Sequence, residues 1–209
     1  MAGRPRGVDD AAILRATADV VGRVGPAGLT LAAVAREVGV VPGTLMQRFG
    51  SKRGLLLALA ERAAESAEAD ARTSPERLRR EHGSALAALT ALLVESMEPM
   101  RTPQTYANHL AFFSLDLGEP DFHAHALTVH RAERRAVEEL LTAAVAAGEL
   151  RAGTDVRPLA RSVQAMSSGA GLVWALDREG TLARRMRQEI DEVLARHVAV
   201  PVPADQEES

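Results

Sequence analysis

Apolar residues recur at intervals of three and four along nearly the whole chain, and this spacing predicts an all-α protein. Ala, Leu, Arg and Glu are frequent, and Gly or Pro mainly separates the segments. The first predicted helix covers residues 9–24. Its apolar stripe consists of Ile13, Leu14, Thr17, Val20, Val21 and Val24. The sequence GPAG then ends this helix.

Two short helices follow, separated by a glycine. Thr30 is placed to cap a helix over residues 31–38, and Gly39 fits the left-handed position after it. Pro42 is favoured at the first position of the next helix, which extends to Phe49. This pattern predicts a helix-turn-helix, in which the second short helix enters a DNA major groove.

The remainder of the chain is predicted as further helices. Ser51 caps the first of them, and Ser74 with Pro75 begins the next. The predicted bounds are 51–71, 75–97, 104–115, 120–147, 156–176 and 182–198. We therefore expect a helix-turn-helix domain at 1–55, a larger helical domain for ligand binding and dimerisation at 56–200, and a disordered tail at 201–209.

Basic residues are concentrated near the N-terminus. The first 55 residues hold eight of the 25 Lys and Arg residues but only four of the 28 Asp and Glu residues, so this part of the chain is basic.

Lys52 is the single lysine of the chain. It lies in the first turn of the helix that Ser51 caps, where a cation opposes the helix dipole. A helix N-terminus with an added cation is suited to a phosphate, although chance explains one lysine equally well. Arg4 and Arg6 suit a minor-groove arm or a plain basic terminus.

Several classes of protein are disfavoured. Cysteine is absent, which excludes disulfides and thiolate chemistry. No run approaches the ~18 apolar residues that span a bilayer, and the N-terminus has no signal-peptide segment, so we expect a cytoplasmic protein without a membrane partner. The chain has no phosphate-binding glycine loop, nucleophile elbow or HExxH motif. We therefore predict no enzymatic activity and no cofactor.

A metal site is also not predicted. His123, His125 and His130 lie near Glu119 and Asp121 in the sequence. Residues two apart on a helix point to different sides, so His123 and His125 cannot both face one ion on regular backbone.

The segment GLTLAAVAREVGVVPGTLMQRFGSKRGLLLAL, residues 28–59, resembles the DNA-binding domain of the tetracycline-repressor (TetR) family of bacterial transcription regulators. It contains the pattern GV-x-x-G-T-L-x-x-x-F-x-S-K followed by leucines. The resemblance is close over residues 9–59, and the rest of the chain agrees in length and helix number. It implies a two-helix reading head carried by a ligand-binding, dimerising domain.

The resemblance also implies roles for individual residues. Thr30 and Lys52 match phosphate contacts, and the other matching positions lie on the outer face of the second short helix. The expected DNA-binding residues are Thr30, Pro42, Gly43, Thr44, Gln47, Arg48 and Lys52. Two positions depart from the family, where Met46 replaces a common tyrosine and Val41 a common serine or threonine. A valine side chain cannot accept a capping hydrogen bond. The first backbone N–H groups of the second short helix, residues 42–49, are therefore available to water or to a DNA phosphate.

The last two helices carry apolar stripes at helical spacing. In a chain with this resemblance they look like half of a dimeric four-helix bundle, with packing inside one chain as the alternative. The expected dimerisation residues are Val163, Met166, Ala170, Leu182, Met186, Ile190 and Val193.

Five of the six aromatic residues lie beyond residue 55 and either line an apolar pocket or form plain core. The expected ligand-binding residues are Met97, Tyr106, His109, Phe112, Phe113, Phe122, Gln164 and Trp174. The shortage of unpaired charge indicates a mostly apolar ligand. The function expected from all these features is a dimeric repressor that a small molecule releases from a palindromic double-stranded DNA operator. The alternative is an architectural DNA-binding protein without a ligand.

Overall fold

The structure, a computed structural model, describes residues 8–199, and this part contains nine α-helices. They are α1 (Asp10–Gly28), α2 (Leu31–Val38), α3 (Pro42–Phe49), α4 (Lys52–His82), α5 (Ala85–Ser96), α6 (Pro103–Gly118), α7 (Pro120–Ala146), α8 (Val156–Asp177) and α9 (Leu182–Leu194). The all-α prediction is confirmed. Arg4, Arg6 and the tail at 201–209 lie outside the described residues. No helix among the described residues is both long and apolar enough to cross a membrane.

The first three helices and the start of α4 share one core. Its fully buried side chains include Ile13, Leu29, Val34, Leu45 and Leu55. The Thr30 side chain accepts a hydrogen bond from the backbone N–H of Ala33, and Gly39 adopts φ 70°, as the sequence predicts for both ends of α2. Val24 differs from the prediction, because it is 51% exposed. The backbone leaves helical geometry at Gly25, and the stripe of α1 ends there.

The fourth helix is longer than predicted. We expected a break at Ser74 and Pro75, but both residues are buried inside the continuous α4. Packing of α4 along α5 and α7 outweighs the hydrogen bond that a proline removes. The break comes instead at Gly83, with φ 69°, and Ser84 then caps α5. The domain boundary proposed at residue 55 falls within α4 and stays a prediction.

The larger core lies between α5, α7, α8 and α9. Its fully buried residues include Leu89, Leu140, Val163, Met186 and Ile190. Glu149, in the loop after α7, stabilises the start of α5. Its carboxylate accepts hydrogen bonds from Ser84 Oγ at 2.6 Å and from the Ala85 and Leu86 amides at 2.8 and 3.0 Å. Burial opposes ionisation there, but these hydrogen bonds outweigh it and hold the pKa of Glu149 below its ordinary value.

Candidate DNA-reading face and ligand cavity

The outer face of α3 is open to solvent. Leu45 is fully buried and anchors the helix, while Pro42, Gly43, Met46 and Gln47 are exposed. A helix exposed in this way can enter a major groove and bring side chains to base edges. Gln47 is the exposed side chain of this set with both a donor and an acceptor for a base edge.

Two of the expected DNA contacts also hold the domain together. Arg48 donates hydrogen bonds to the backbone oxygen of Val8 and, at 3.0 Å, to the Asp10 carboxylate. Lys52 Nζ donates to the backbone oxygen of Ala27 at 2.7 Å. Ala27 lies in the last turn of α1, whose carbonyl end attracts a cation, and this offsets the cost of a lysine in the first turn of α4. The ammonium keeps two further donors for a phosphate.

Arg53 was not among the predicted site residues, yet it joins the reading head to the rest of the chain. Its guanidinium donates to Glu119 at 2.9 Å and to Asp121 at 3.0 Å, on either side of the turn between α6 and α7. It also lies 5.5 Å from the centre of the Phe122 ring. The hydrogen bonds to Asp121 and Glu119 raise the pKa of Arg53. Only the fold brings these partners together, since they are 66 or more residues apart in sequence.

Helix α6 makes a second connection to the reading head. Asn108, which is buried, donates from its side-chain amide to the backbone oxygen of Gly22 in α1 at 2.8 Å. Gln104, one turn earlier, donates to Asn108 Oδ1 at 3.2 Å. A displacement of α6 therefore acts directly on α1.

A cavity of about 880 Å³ lies between α4, α5, α7 and α8. Alanine and serine are frequent in its lining, together with Leu92, Leu93 and Val137. Its ionisable lining residues are Asp70, Arg77, Glu95, His130, Glu133, Arg134 and Arg161. This volume is in the range that holds a drug-sized ligand. Apolar and ionisable side chains share the lining, and the expectation of a mostly apolar ligand stays a prediction.

Most of the expected ligand-binding residues lie elsewhere. Met97 and Gln164 line the cavity, but the other six do not: Tyr106, His109, Phe112, Phe113, Phe122 and Trp174. Tyr106 and Trp174 pack edge to face at 6.5 Å in a small separate core, and Phe112 and Phe122 do so at 6.2 Å beside the reading head. His109 and Phe113 are exposed on α6. Aromatic side chains are large enough to be favoured wherever helices meet, so their presence alone does not mark a cavity.

The expected dimerisation residues also need correction. Five of them are buried within their own chain: Val163, Ala170, Leu182, Met186 and Ile190. Met166 and Val193 are half-buried and pack against the same core. The stripes therefore mark the contacts of α8 and α9 inside the chain. The opposite face of α8 is exposed and apolar, with Leu172, Val173 and Leu176 at 45, 48 and 76% exposure.

Metal coordination has no candidate in the part of the chain that the structure describes. Within residues 8–199, no three His, Asp or Glu side chains are grouped so as to hold an ion.

Comparison with known families gives two matches. Residues 13–59 match the model of the tetR family of bacterial regulatory proteins. Residues 85–199 match the C-terminal domain of BetI-type transcriptional repressors. A search of curated proteins gave no match.

Solved structures share the fold at low sequence identity. A putative TetR-family regulator from Rhodococcus sp. has a TM-score of 0.65 at 23% identity, over 91% of this chain and 98% of that one. FadR from Bacillus subtilis, in complex with stearoyl-CoA, has a TM-score of 0.64 at 15% identity, over 90% and 98%. A putative regulator from Saccharomonospora viridis, in complex with choline, has a TM-score of 0.69 at 18% identity, over 91% and 97%.

Proposed function

Because this chain belongs to the tetR family of bacterial regulatory proteins, whose members are DNA-binding transcription regulators, we propose that it is a homodimeric repressor released from a palindromic operator by a small molecule. The small molecule occupies the cavity between α4, α5, α7 and α8. The S. viridis and B. subtilis neighbours are in complex with choline and stearoyl-CoA, which supports a ligand-binding role for a protein of this fold.

The proposed DNA contacts divide into two kinds. Gln47 on the exposed face of α3 reads base edges, while Thr30 and Lys52 contact phosphates at the starts of α2 and α4. Pro42, Gly43 and Thr44 allow the N-terminal end of α3 to approach the groove closely. Arg48 contributes by holding the N-terminal segment through Val8 and Asp10, and its remaining donors reach the backbone of DNA.

One observation carries the proposal: a single helix reaches from the reading head to the cavity. Helix α4 begins with Lys52, beside α3, and its residues from Ala63 to Arg77 line the cavity. A ligand that favours one position of α4 therefore also favours one position of the reading head. The two contacts through Arg53 and Asn108 make α6 move with the head. Ligand and operator then affect each other's affinity by the same factor.

The proposed dimer surface is the outer face of α8. Leu172, Val173 and Leu176 form an apolar patch there, and Ala165 and Gly169 continue the same exposed face with small side chains. Small residues permit close approach of a second helix, and burial of the apolar patch between two chains stabilises the dimer. Two reading heads placed by a dimer about one helical turn apart, ~34–36 Å, contact the two halves of a palindrome.

Selection of random duplex DNA on the purified full-length protein tests this function. Enriched sequences are then measured at several salt concentrations. A repressor of the proposed kind enriches a palindrome and binds it about 10³-fold or more above unrelated DNA. An architectural DNA-binding protein instead binds all sequences alike, with a steep dependence on salt.

A further inference from the structure

The reading helix α3 presents exposed apolar side chains where it is proposed to meet DNA. Met46 is 51% exposed, and Val41, the residue before the helix, is 68% exposed. Pro42 is exposed as well. None of the three belongs to the core of the domain, since Leu45 and Phe49 supply the core contacts of α3. Exposed apolar side chains that lie together are typical of a binding surface.

Few side chains of α3 are free to form hydrogen bonds with bases. Arginine is the residue that most commonly reads guanine, but Arg48, the single arginine of α3, donates to the backbone oxygen of Val8 and to Asp10. Thr44 is half-buried. Gln47 remains exposed, and a glutamine amide forms paired hydrogen bonds with N6 and N7 of adenine. The surface of α3 is therefore better suited to adenine than to guanine.

The major groove offers one apolar group to a side chain such as Met46. Base edges there carry hydrogen-bond donors and acceptors, and the exception is the C5 methyl group of thymine. A thioether has no hydrogen to donate to a phosphate oxygen, so Met46 is better suited to a base than to the DNA backbone. Its unbranched chain can also adjust to the position of a methyl group.

Gly43 leaves room for a base edge beside Met46. A Cβ atom on Gly43 would meet nothing within 4 Å apart from its own stretch of helix, so packing within the protein does not require a glycine there. Glycine is also less favourable than alanine inside a helix. Gly43 lies one turn before both Met46 and Gln47, and residues three and four apart share a helix face. Its missing side chain therefore permits close approach of DNA to these two residues.

Resting on the proposed function, we infer that Met46 determines specificity by contacting thymine methyl groups. Gln47, the next residue, donates a hydrogen bond to N7 of adenine and accepts one from the N6 amino group. The two side chains together select A·T base pairs in the part of each half-site that lies under α3. The exposed chemistry of this helix thus defines the class of base pair that the operator contains there.

Replacement of thymine by deoxyuridine tests the inference, because it removes the C5 methyl group and keeps the base pairing. Each thymine of the selected operator is replaced in turn, first in one half-site and then in both. Fluorescence anisotropy measures the affinity of the full-length protein. The loss of contact with one methyl group is expected to weaken binding about fourfold at a thymine under α3, and about 15-fold when both half-sites are changed.

Variants of Met46 assign the effect to this side chain. Met46→Ala is expected to bind the thymine and uracil operators equally, since the side chain that contacts the methyl group is absent. Met46→Leu keeps an apolar side chain and is expected to keep the preference for thymine. Leu117→Ala is the matched control, because Leu117 is also exposed and apolar but lies on α6, so the full effect of uracil should remain. Urea denaturation should show unchanged stability of Met46→Ala.

Three results overturn the inference: no thymine of either half-site at which uracil lowers affinity, an equal effect of uracil in the wild type and in Met46→Ala, or half-sites that contain G·C pairs alone. A selected palindrome that is insensitive to uracil contradicts the inference and leaves the proposed repressor standing. Uracil sensitivity that requires Met46, at a motif without two-fold symmetry, supports the inference and contradicts the proposed dimeric repressor.

Discussion

Tyr106 lies so close to Gly171 that only glycine fits at that position of α8. A Cβ atom on Gly171 would be 2.5 Å from Cε2 of Tyr106, and the Tyr106 hydroxyl donates to the backbone oxygen of Ser168 at 3.2 Å. The ring also packs edge to face on Trp174. This contact holds α6, which reaches the reading head through Asn108, directly against α8.

Gly171→Ala is therefore expected to destabilise the fold. The added methyl group forces the Tyr106 ring or α8 to move, which costs about 1–3 kcal/mol of unfolding free energy. Urea denaturation measures the loss. Gly22→Ala is the control, since a Cβ there would contact nothing within 4 Å apart from its own stretch of helix, and alanine favours the helix by up to ~1 kcal/mol. Equal effects of the two substitutions would contradict the proposed close contact.

Lys52→Ala and Gln47→Ala are expected to affect DNA binding differently. Loss of a phosphate contact weakens binding by a similar factor on all sequences and lowers the slope of log affinity against log salt by about one. Loss of a base contact instead changes which operators are preferred. Fluorescence anisotropy with the selected operator and its single-base variants measures both effects. The unfolding free energy of Lys52→Ala is needed as a control, because this variant also loses the bond to Ala27. Identical losses across all sequences for both variants would refute the division.

Leu176→Glu is expected to weaken the dimer. A charge in the middle of an apolar interface loses its hydration without gaining a partner, so dissociation increases about tenfold or more. Sedimentation analysis over a range of concentrations measures the change. Leu117→Glu is the matched control, because Leu117 is also a largely exposed leucine, at 66%, but lies on α6. A dimer that tolerates Leu176→Glu but not Leu117→Glu would place the interface on α6.

The buried carboxyl group of Asp116 is expected to make the stability of the protein depend on pH. Burial raises its pKa from 3.8 to about 6, and the nearby His125 opposes this shift. The folded state then holds the proton more tightly than the unfolded state, so stability falls as pH rises from about 4 through 6. A shift of this size corresponds to at most about 3 kcal/mol, which partial access to solvent reduces to about 1–2 kcal/mol. Asp116→Asn removes the cost of ionisation and should stabilise the protein at pH 7.5, with a smaller gain at pH 5. Urea denaturation at both pH values measures the gain, and a gain that increases towards pH 5 would reverse the assigned sign.

The sequence by itself determined the local features of this protein. The ends of α2 and α3 agree with the prediction because Thr30, Gly39 and Pro42 act on backbone groups within a few residues. The spacing of Met186 and Ile190 correctly indicated a buried side of α9, since helical periodicity depends only on nearby positions. The family resemblance came from the same short segment, where turn, cap and reading helix follow one another directly.

Only the tertiary structure determined which part of the protein the buried face of each helix packs against. The stripes of α8 and α9 face their own chain rather than a second copy, and Phe122 packs beside the reading head rather than in the cavity. Pro75 remains inside a helix because distant segments pack along it. The role of Arg53 depends on Glu119 and Asp121, which lie far from it along the chain. Periodicity indicates that a residue is buried. Which residues it contacts depends on how all the helices pack together, and a short segment of sequence does not determine that packing.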